Sequence, residues 1–202
     1  MTAPRLPRTD TRLPLSRRRF LGTASLGLGV LALGCGRGNA APDPAAQQAH
    51  ALPAKVSIVE FSNSGKRLRV AELPSVVRTD AQWRKQLSPL AFDVTRKDGT
   101  ERAFTGPLLH EKRAGVFRCI CCGTALFNAN TKFESGTGWP SFWRPIASQN
   151  VRELRDTSYG MVRTEVACAR CDAHLGHVFD DGPRSTGLRY CMNSVSLDFT
   201  PA

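Results

Sequence analysis

Apolar and polar residues alternate at period two in Val56-Ser57-Ile58-Val59-Glu60-Phe61 and again in Arg67-Leu68-Arg69-Val70, with the turn-forming Ser62-Asn63-Ser64-Gly65 between them. That pattern predicts a β-hairpin. Thr79-Asp80 can cap a short helix running through Trp83 to Leu87, and Ser88-Pro89 can start another, because proline fits the first helical turn. From Val116 the texture changes, and short apolar or aromatic stretches are broken about every eight to twelve residues by Gly, Asn, Asp, Pro and Ser. The pattern predicts a mainly β fold, a sandwich or open barrel, with short helices confined to the N-terminal side.

The first forty residues read differently. Ser16-Arg17-Arg18-Arg19-Phe20-Leu21 sets adjacent arginines before an apolar run from Phe20 to Gly34. That run is shorter than the roughly 20 residues a bilayer span requires, and Gly22, Gly27 and Gly29 dilute it. A basic start, a short apolar core and small residues predict a twin-arginine-type signal segment over 1–35. The competing reading is a basic surface helix followed by an apolar one. Residues 36–54 are rich in Ala, Pro, Gly and Gln, cannot bury enough surface to offset ordering entropy, and are read as a flexible linker. The hairpin extension then occupies 55–75 and one folded domain 76–202, long enough for a single core.

Charge follows this division. Residues 1–39 hold seven arginines and one acid, so they carry +6 of the formal net charge of +11. The rest shows no long basic run and no basic patch interleaved with aromatics, which removes the main support for nucleic-acid binding.

The seven cysteines divide into separate tasks. Cys119-x-x-Cys122 and Cys168-x-x-Cys171 repeat one spacing, with Gly123 and Asp172 following as turn-formers. Two such turns complete a tetrahedral thiolate site, and four thiolates leave no open position, so the expected ion is a structural Zn2+. A pair of redox dithiols or disulfides is the alternative. Cys121 lies between two ligands and could exchange with Cys122. Cys191 stands alone in an alternating strand, flanked at i−2 and i+2 by Arg189 and Asn193 on the same face. A cation and an amide donor beside a thiol favour the thiolate, although a lone strand cysteine is ordinarily a small buried hydrophobe. With four cysteines on the metal, His174 and His177 are left for acid–base work.

Ser135-Gly136-Thr137-Gly138-Trp139-Pro140-Ser141-Phe142, His174-Leu175-Gly176-His177-Val178-Phe179-Asp180-Asp181-Gly182-Pro183 and Arg189-Tyr190-Cys191-Met192-Asn193-Ser194 together resemble the methionine-(R)-sulfoxide reductases, the B-type family. Val94-Thr95-Arg96 and Gly99-Thr100-Glu101-Arg102-Ala103-Phe104 add to the likeness, which runs from about Arg78 to Phe199 in family order. The resemblance implies two antiparallel sheets, a structural zinc opposite the active site, and Cys191 as nucleophile. It further implies that His174, His177 and Asn193 shape the site, and that Trp139 forms the wall for the substrate methyl group; Phe142 is also expected to bind substrate. Many members carry a resolving cysteine where this chain has Thr137.

A sulfoxide sulfur is a poor electrophile until its oxygen is protonated, so a thiolate, an acid and an apolar seat are the minimum set. On this reading Cys191 attacks, His174 and His177 donate a proton and organise water, and Arg189 and Asn193 orient the thiol. The expected partners are oxidised proteins and a thioredoxin-like or small-thiol reductant; the resolving thiol is Cys121, Cys35 or the reductant itself. The expected location is the periplasm, with membrane contact only through the signal or a lipid anchor at Cys35. Two other classes compete, a zinc-ribbon-like binding module and a thiol peroxidase or disulfide oxidoreductase. The second would require a redox Cys-x-x-Cys opening a helix, and neither pair lies in a helical pattern.

Overall fold

The computed structural model describes residues 52–157 and 162–202. The expected signal segment over 1–35, most of the linker and Cys35 lie outside the described residues. Strands β1 (Lys55–Phe61) and β2 (Arg67–Pro74) form the antiparallel hairpin. Two helices follow, α1 (Asp80–Gln86) and α2 (Pro89–Lys97). Thr79 caps α1 in a reciprocal capping box with Gln82, and the Ser88 hydroxyl accepts from Ala91 N–H with Pro89 in the first turn of α2. Each such cap contributes about 1 kcal/mol, enough to matter for helices this short. Among the described residues, no helix is long and apolar enough to cross a membrane.

The remainder is β structure in two antiparallel sheets. Strands β3 (Gly115–Cys119), β4 (Ala125–Asn128) and β11 (Leu197–Pro201) make a three-stranded sheet in the order β11-β3-β4. Strands β5 (Lys132–Phe133), β6 (Ser141–Phe142), β7 (Val151–Asp156), β8 (Arg163–Cys168), β9 (His174–Phe179) and β10 (Arg189–Met192) make a six-stranded sheet in the order β5-β6-β10-β9-β8-β7. Side chains from both sheets meet in the core. Phe142 of β6 stacks on Phe127 of β4 with centroids 4.4 Å apart and meets Phe117 of β3 edge-on at 5.0 Å. All three rings are fully buried, each contributing about 1.5–3 kcal/mol from burial.

The hairpin is tied to this body by one buried amide. Asn150 accepts from Val59 N–H at 2.9 Å and donates to the carbonyls of Val59 and Ala125, both at 2.8 Å. Arg118 also donates to Phe61 O at 3.1 Å.

Register decides what the six-stranded sheet displays. Leu154, Glu165, His177, Cys191, Ser141 and Phe133 are successive cross-strand partners and form one transverse row. Their side chains therefore share a face, while the neighbouring pair Tyr190 and Phe142 points to the core.

Candidate active site

Cys191 occupies the middle of that row, between His177 on β9 and Ser141 on β6. In a regular strand His174 and His177, three apart, would face opposite sides. The register shift between β8 and β9 inserts an extra residue, so that Ala167 pairs with His174 while Glu165 pairs with His177. The bulge puts both imidazoles on the Cys191 face, with ring centroids 5.3 Å apart. Gly176 makes this possible. Its φ is +156°, and a Cβ there would lie 2.1 Å from Cys191 O, so the two backbones approach only because no side chain intervenes.

Each histidine is fixed by a carboxylate. His174 Nδ1 lies 2.7 Å from Glu165 Oε1, and His177 Nε2 lies 2.9 Å from Asp156 Oδ2, which also accepts from Arg163 at 2.7 Å. In the neutral tautomers these contacts impose, the free lone pair sits on Nε2 of His174 and on Nδ1 of His177. His174 is 3% exposed and its Nε2 has no hydrogen-bond partner among the described residues, an orphan that a bound water or substrate would satisfy. Burial pushes the His177 imidazole below its ordinary pKa, outweighing Asp156. A cavity of about 760 Å³ opens beside the pair, lined by Lys97, Asp98, Thr100, Arg155, Asp156 and Glu165 among others.

The thiol itself meets hydroxyls. Thr137 Oγ1 is 3.8 Å from Cys191 Sγ, and Thr137, Ser135 and Ser141 form a chain with contacts of 2.8 and 2.7 Å. Burial pushes the Cys191 thiol above its ordinary pKa; Thr137, Arg189 and Ser141 pull it down without cancelling that effect. Arg189 favours the thiolate as expected, but burial outweighs it, and Asn193 plays no such part. Arg189 is bound in a fork to Asp181, both contacts at 2.8 Å, and stacks over Phe179, so its charge is shared. Asn193 lies past the end of β10, where its amide accepts from Glu101 N–H and donates to Leu175 O. It braces backbone rather than touching sulfur.

Trp139 is half-buried beside this group and donates its indole N–H to Glu101 O at 3.2 Å. Phe142 departs from expectation, being fully buried on the core face of the sheet, where it holds Ser141 and β10 in place from beneath. Glu101, which sequence reasoning left without a role, is 2% exposed and accepts from the backbone N–H of Ser194 at 2.6 Å and Val195 at 3.0 Å. It joins Trp139, Asn193 and the end of β10. A buried acid inside an otherwise polar loop is the only signal that could have marked it. Asp156 and Glu165 were also missed, because only the register brings them to the histidines.

At the ends of β3 and β8, Cys119, Cys122, Cys168 and Cys171 gather with all four sulfurs within 4.8 Å of one another. The Cys119–Cys171 and Cys122–Cys168 separations are 3.6 and 3.5 Å, close to the roughly 3.8 Å edge of a tetrahedron with zinc–sulfur bonds of about 2.3 Å. Four thiolates packed this closely would repel one another strongly unless a cation lay among them. The donor set therefore fits a structural metal. Cys121 is buried outside the cluster, its carbonyl receiving Gln86 Nε2 at 2.8 Å. Counting strand spacings, the cluster lies roughly 14 Å from Cys191 along the sheet.

Comparison with known proteins covers this same region. Residues 87–201 match the SelR domain. Peptide methionine sulfoxide reductase MsrB of Pseudomonas putida (strain W619) is 59% identical over 129 residues, 64% of this chain and 97% of that protein. Proteins of the same name from Thiobacillus denitrificans (strain ATCC 25259 / T1) and Synechococcus sp. (strain RCC307) are 57% and 56% identical over 124 residues, 61% of this chain and 94% and 91% of those proteins.

Proposed function

This chain belongs to the SelR-domain family, the MsrB-type peptide methionine sulfoxide reductases, and on that premise we propose that it reduces methionine (R)-sulfoxide in oxidised proteins through a sulfenic acid on Cys191. It is an oxidoreductase acting on peptide-methionine sulfoxide. The observation that carries the chemistry is the position of Cys191, between His177 and Ser141, with Thr137 at 3.8 Å and Trp139 two residues further on.

At rest the thiol is protonated and His177 neutral, since burial acts on both in that sense. The imidazole takes the thiol proton at Nδ1 and returns it to the sulfoxide oxygen as the Cys191 sulfur attacks the substrate sulfur. In the adduct the oxygen passes from the substrate sulfur to Cys191 Sγ as the new S–S bond and the substrate S–O bond both break, so methionine leaves as the thioether and Cys191 holds the oxygen and its proton as a sulfenic acid. His174, with its buried Nε2 available, holds the water or oxygen in line. A thiol then condenses with the sulfenic acid, releasing water and forming a mixed disulfide, and a second thiol restores Cys191. Because Thr137 supplies no sulfur, the first of these thiols comes from an external thioredoxin-like or small-molecule reductant.

The four-cysteine cluster holds zinc in this reading, and the metal stays structural, pinning the ends of β3 and β8. The six- and three-stranded sheets, meeting at Phe117, Phe127 and Phe142, form the two halves of an open barrel or sandwich. The basic start and short apolar run of residues 1–35 support export and repair in the cell envelope, and a folded-export route would let zinc protect four thiols before they meet an oxidising compartment. Cys191→Ser tests the core of the proposal. It should abolish turnover of (R)-methionine sulfoxide while zinc stays near one per chain, and substantial remaining turnover would overturn the assignment.

A further inference from the structure

Phe104 stands apart from the other aromatic side chains of the described residues. It is 68% exposed, and its backbone φ of 66° lies in the left-handed region that bulky residues rarely occupy. Packing explains neither feature, because an exposed ring gains little from burial and a strained backbone loses stability. Both are nonetheless held in place. Phe104 N–H donates to Gly138 O at 2.8 Å, and the ring lies across Gly138, where a Cβ would come within 2.8 Å of Phe104 Cδ2.

That location is the rim of the site. Gly138 separates Thr137, whose hydroxyl is 3.8 Å from Cys191 Sγ, from Trp139. The segment that presents Phe104 is clamped to the same neighbourhood, since Glu101 O receives the Trp139 indole and the Glu101 carboxylate grips Ser194 and Val195 N–H. An exposed ring held against Gly138, between Thr137 and Trp139 in sequence, is suited to an apolar group just beyond the reacting side chain. We infer that Phe104 is a specificity-determining residue, docking an apolar or aromatic side chain adjacent to the methionine sulfoxide of an extended polypeptide substrate. This rests on the reductase reading given above and names the polymer that the site takes.

Three probes test it: N-acetyl-methionine sulfoxide, a pentapeptide with central methionine sulfoxide flanked by glycine, and its counterpart flanked by leucine. Phe104→Gly accepts φ near 66° without strain, so the variant retains its fold. Wild-type protein should favour the leucine-flanked peptide over the glycine-flanked one in kcat/KM. Phe104→Gly should lower that ratio roughly tenfold, chiefly through KM, the loss expected for one ring–aliphatic contact, and Phe104→Tyr should restore it. A merely structural role would reduce kcat/KM equally on all three probes. An unchanged ratio, or wild-type protein without preference for the apolar flank, overturns the inference while leaving the reductase reading intact. Failure of wild-type protein to reduce any of the three overturns the reading on which it rests.

Discussion

Thr137→Cys places a second sulfur beside the nucleophile and converts recycling from an external to an internal reaction. Thr137 Oγ1 lies 3.8 Å from Cys191 Sγ, and a disulfide is about 2.05 Å long, so the two sulfurs need approach by only about 1.8 Å. Rotation of one side chain covers that distance. Aligned intramolecular reactions reach effective molarities of about 10⁵ M; an imperfect rotamer forfeits much of this, yet even about 10 M leaves the internal thiol roughly a thousandfold ahead of an external thiol at about 10 mM. The substitution also gives up the 2.8 Å contact with Ser135, about 1 kcal/mol, which the fold tolerates. The assay is a single turnover with one equivalent of sulfoxide, quenched with dimedone and mapped by mass spectrometry. Wild-type protein should give the Cys191 adduct, and the variant a disulfide between position 137 and Cys191 with little adduct. Equal adduct yield in both proteins would refute the geometry. A Cys121–Cys191 disulfide formed in high yield by the wild type would refute the external-thiol account, since Cys121 is buried in the turn after β3 with its carbonyl held by Gln86.

Three further outcomes follow from the same arrangement. Because burial raises the Cys191 pKa, its alkylation rate should rise with pH through a midpoint above the ordinary thiol value of about 8.5, and Arg189→Met should move it higher still; a midpoint below that value contradicts the electrostatics. Gly176→Ala forces a Cβ to 2.1 Å from Cys191 O and should destabilise the fold by about 3 kcal/mol while separating the two histidines from the thiol, whereas wild-type denaturant midpoint and activity would sink the bulge argument. Cys168→Ser should lose metal and unfolding cooperativity together, and metal analysis showing no zinc in active, freshly purified wild type would end the structural-zinc reading.

Local chemistry was written plainly in the chain. Thr79 and Ser88-Pro89 mark helix starts, the turn at Ser62–Gly65 sets the hairpin, and the paired Cys-x-x-Cys spacing marks the cluster, because each depends on residues within a few positions of one another. What stayed hidden depends on register. Period-two alternation puts His174 and His177 on opposite faces, and only the bulge at β9 reverses this. The fork between Arg189 and Asp181 divides the cation between a carboxylate and the thiolate it still favours, and no spacing announces it. Phe142 carries a motif position yet faces the core, since its neighbour Ser141, not Phe142, is the partner of Cys191. Glu101 reaches Ser194 across 93 positions of sequence.

The central claim is that Cys191 attacks the sulfoxide and keeps its oxygen. The most direct measurement is intact and peptide mass spectrometry of reductant-free protein mixed with one equivalent of each separate methionine sulfoxide epimer in the presence of dimedone. The account predicts one adduct, on Cys191, formed with the (R) epimer and in step with one equivalent of methionine released. Methionine release without modification of Cys191, or an adduct on any of the other cysteines instead, would contradict it.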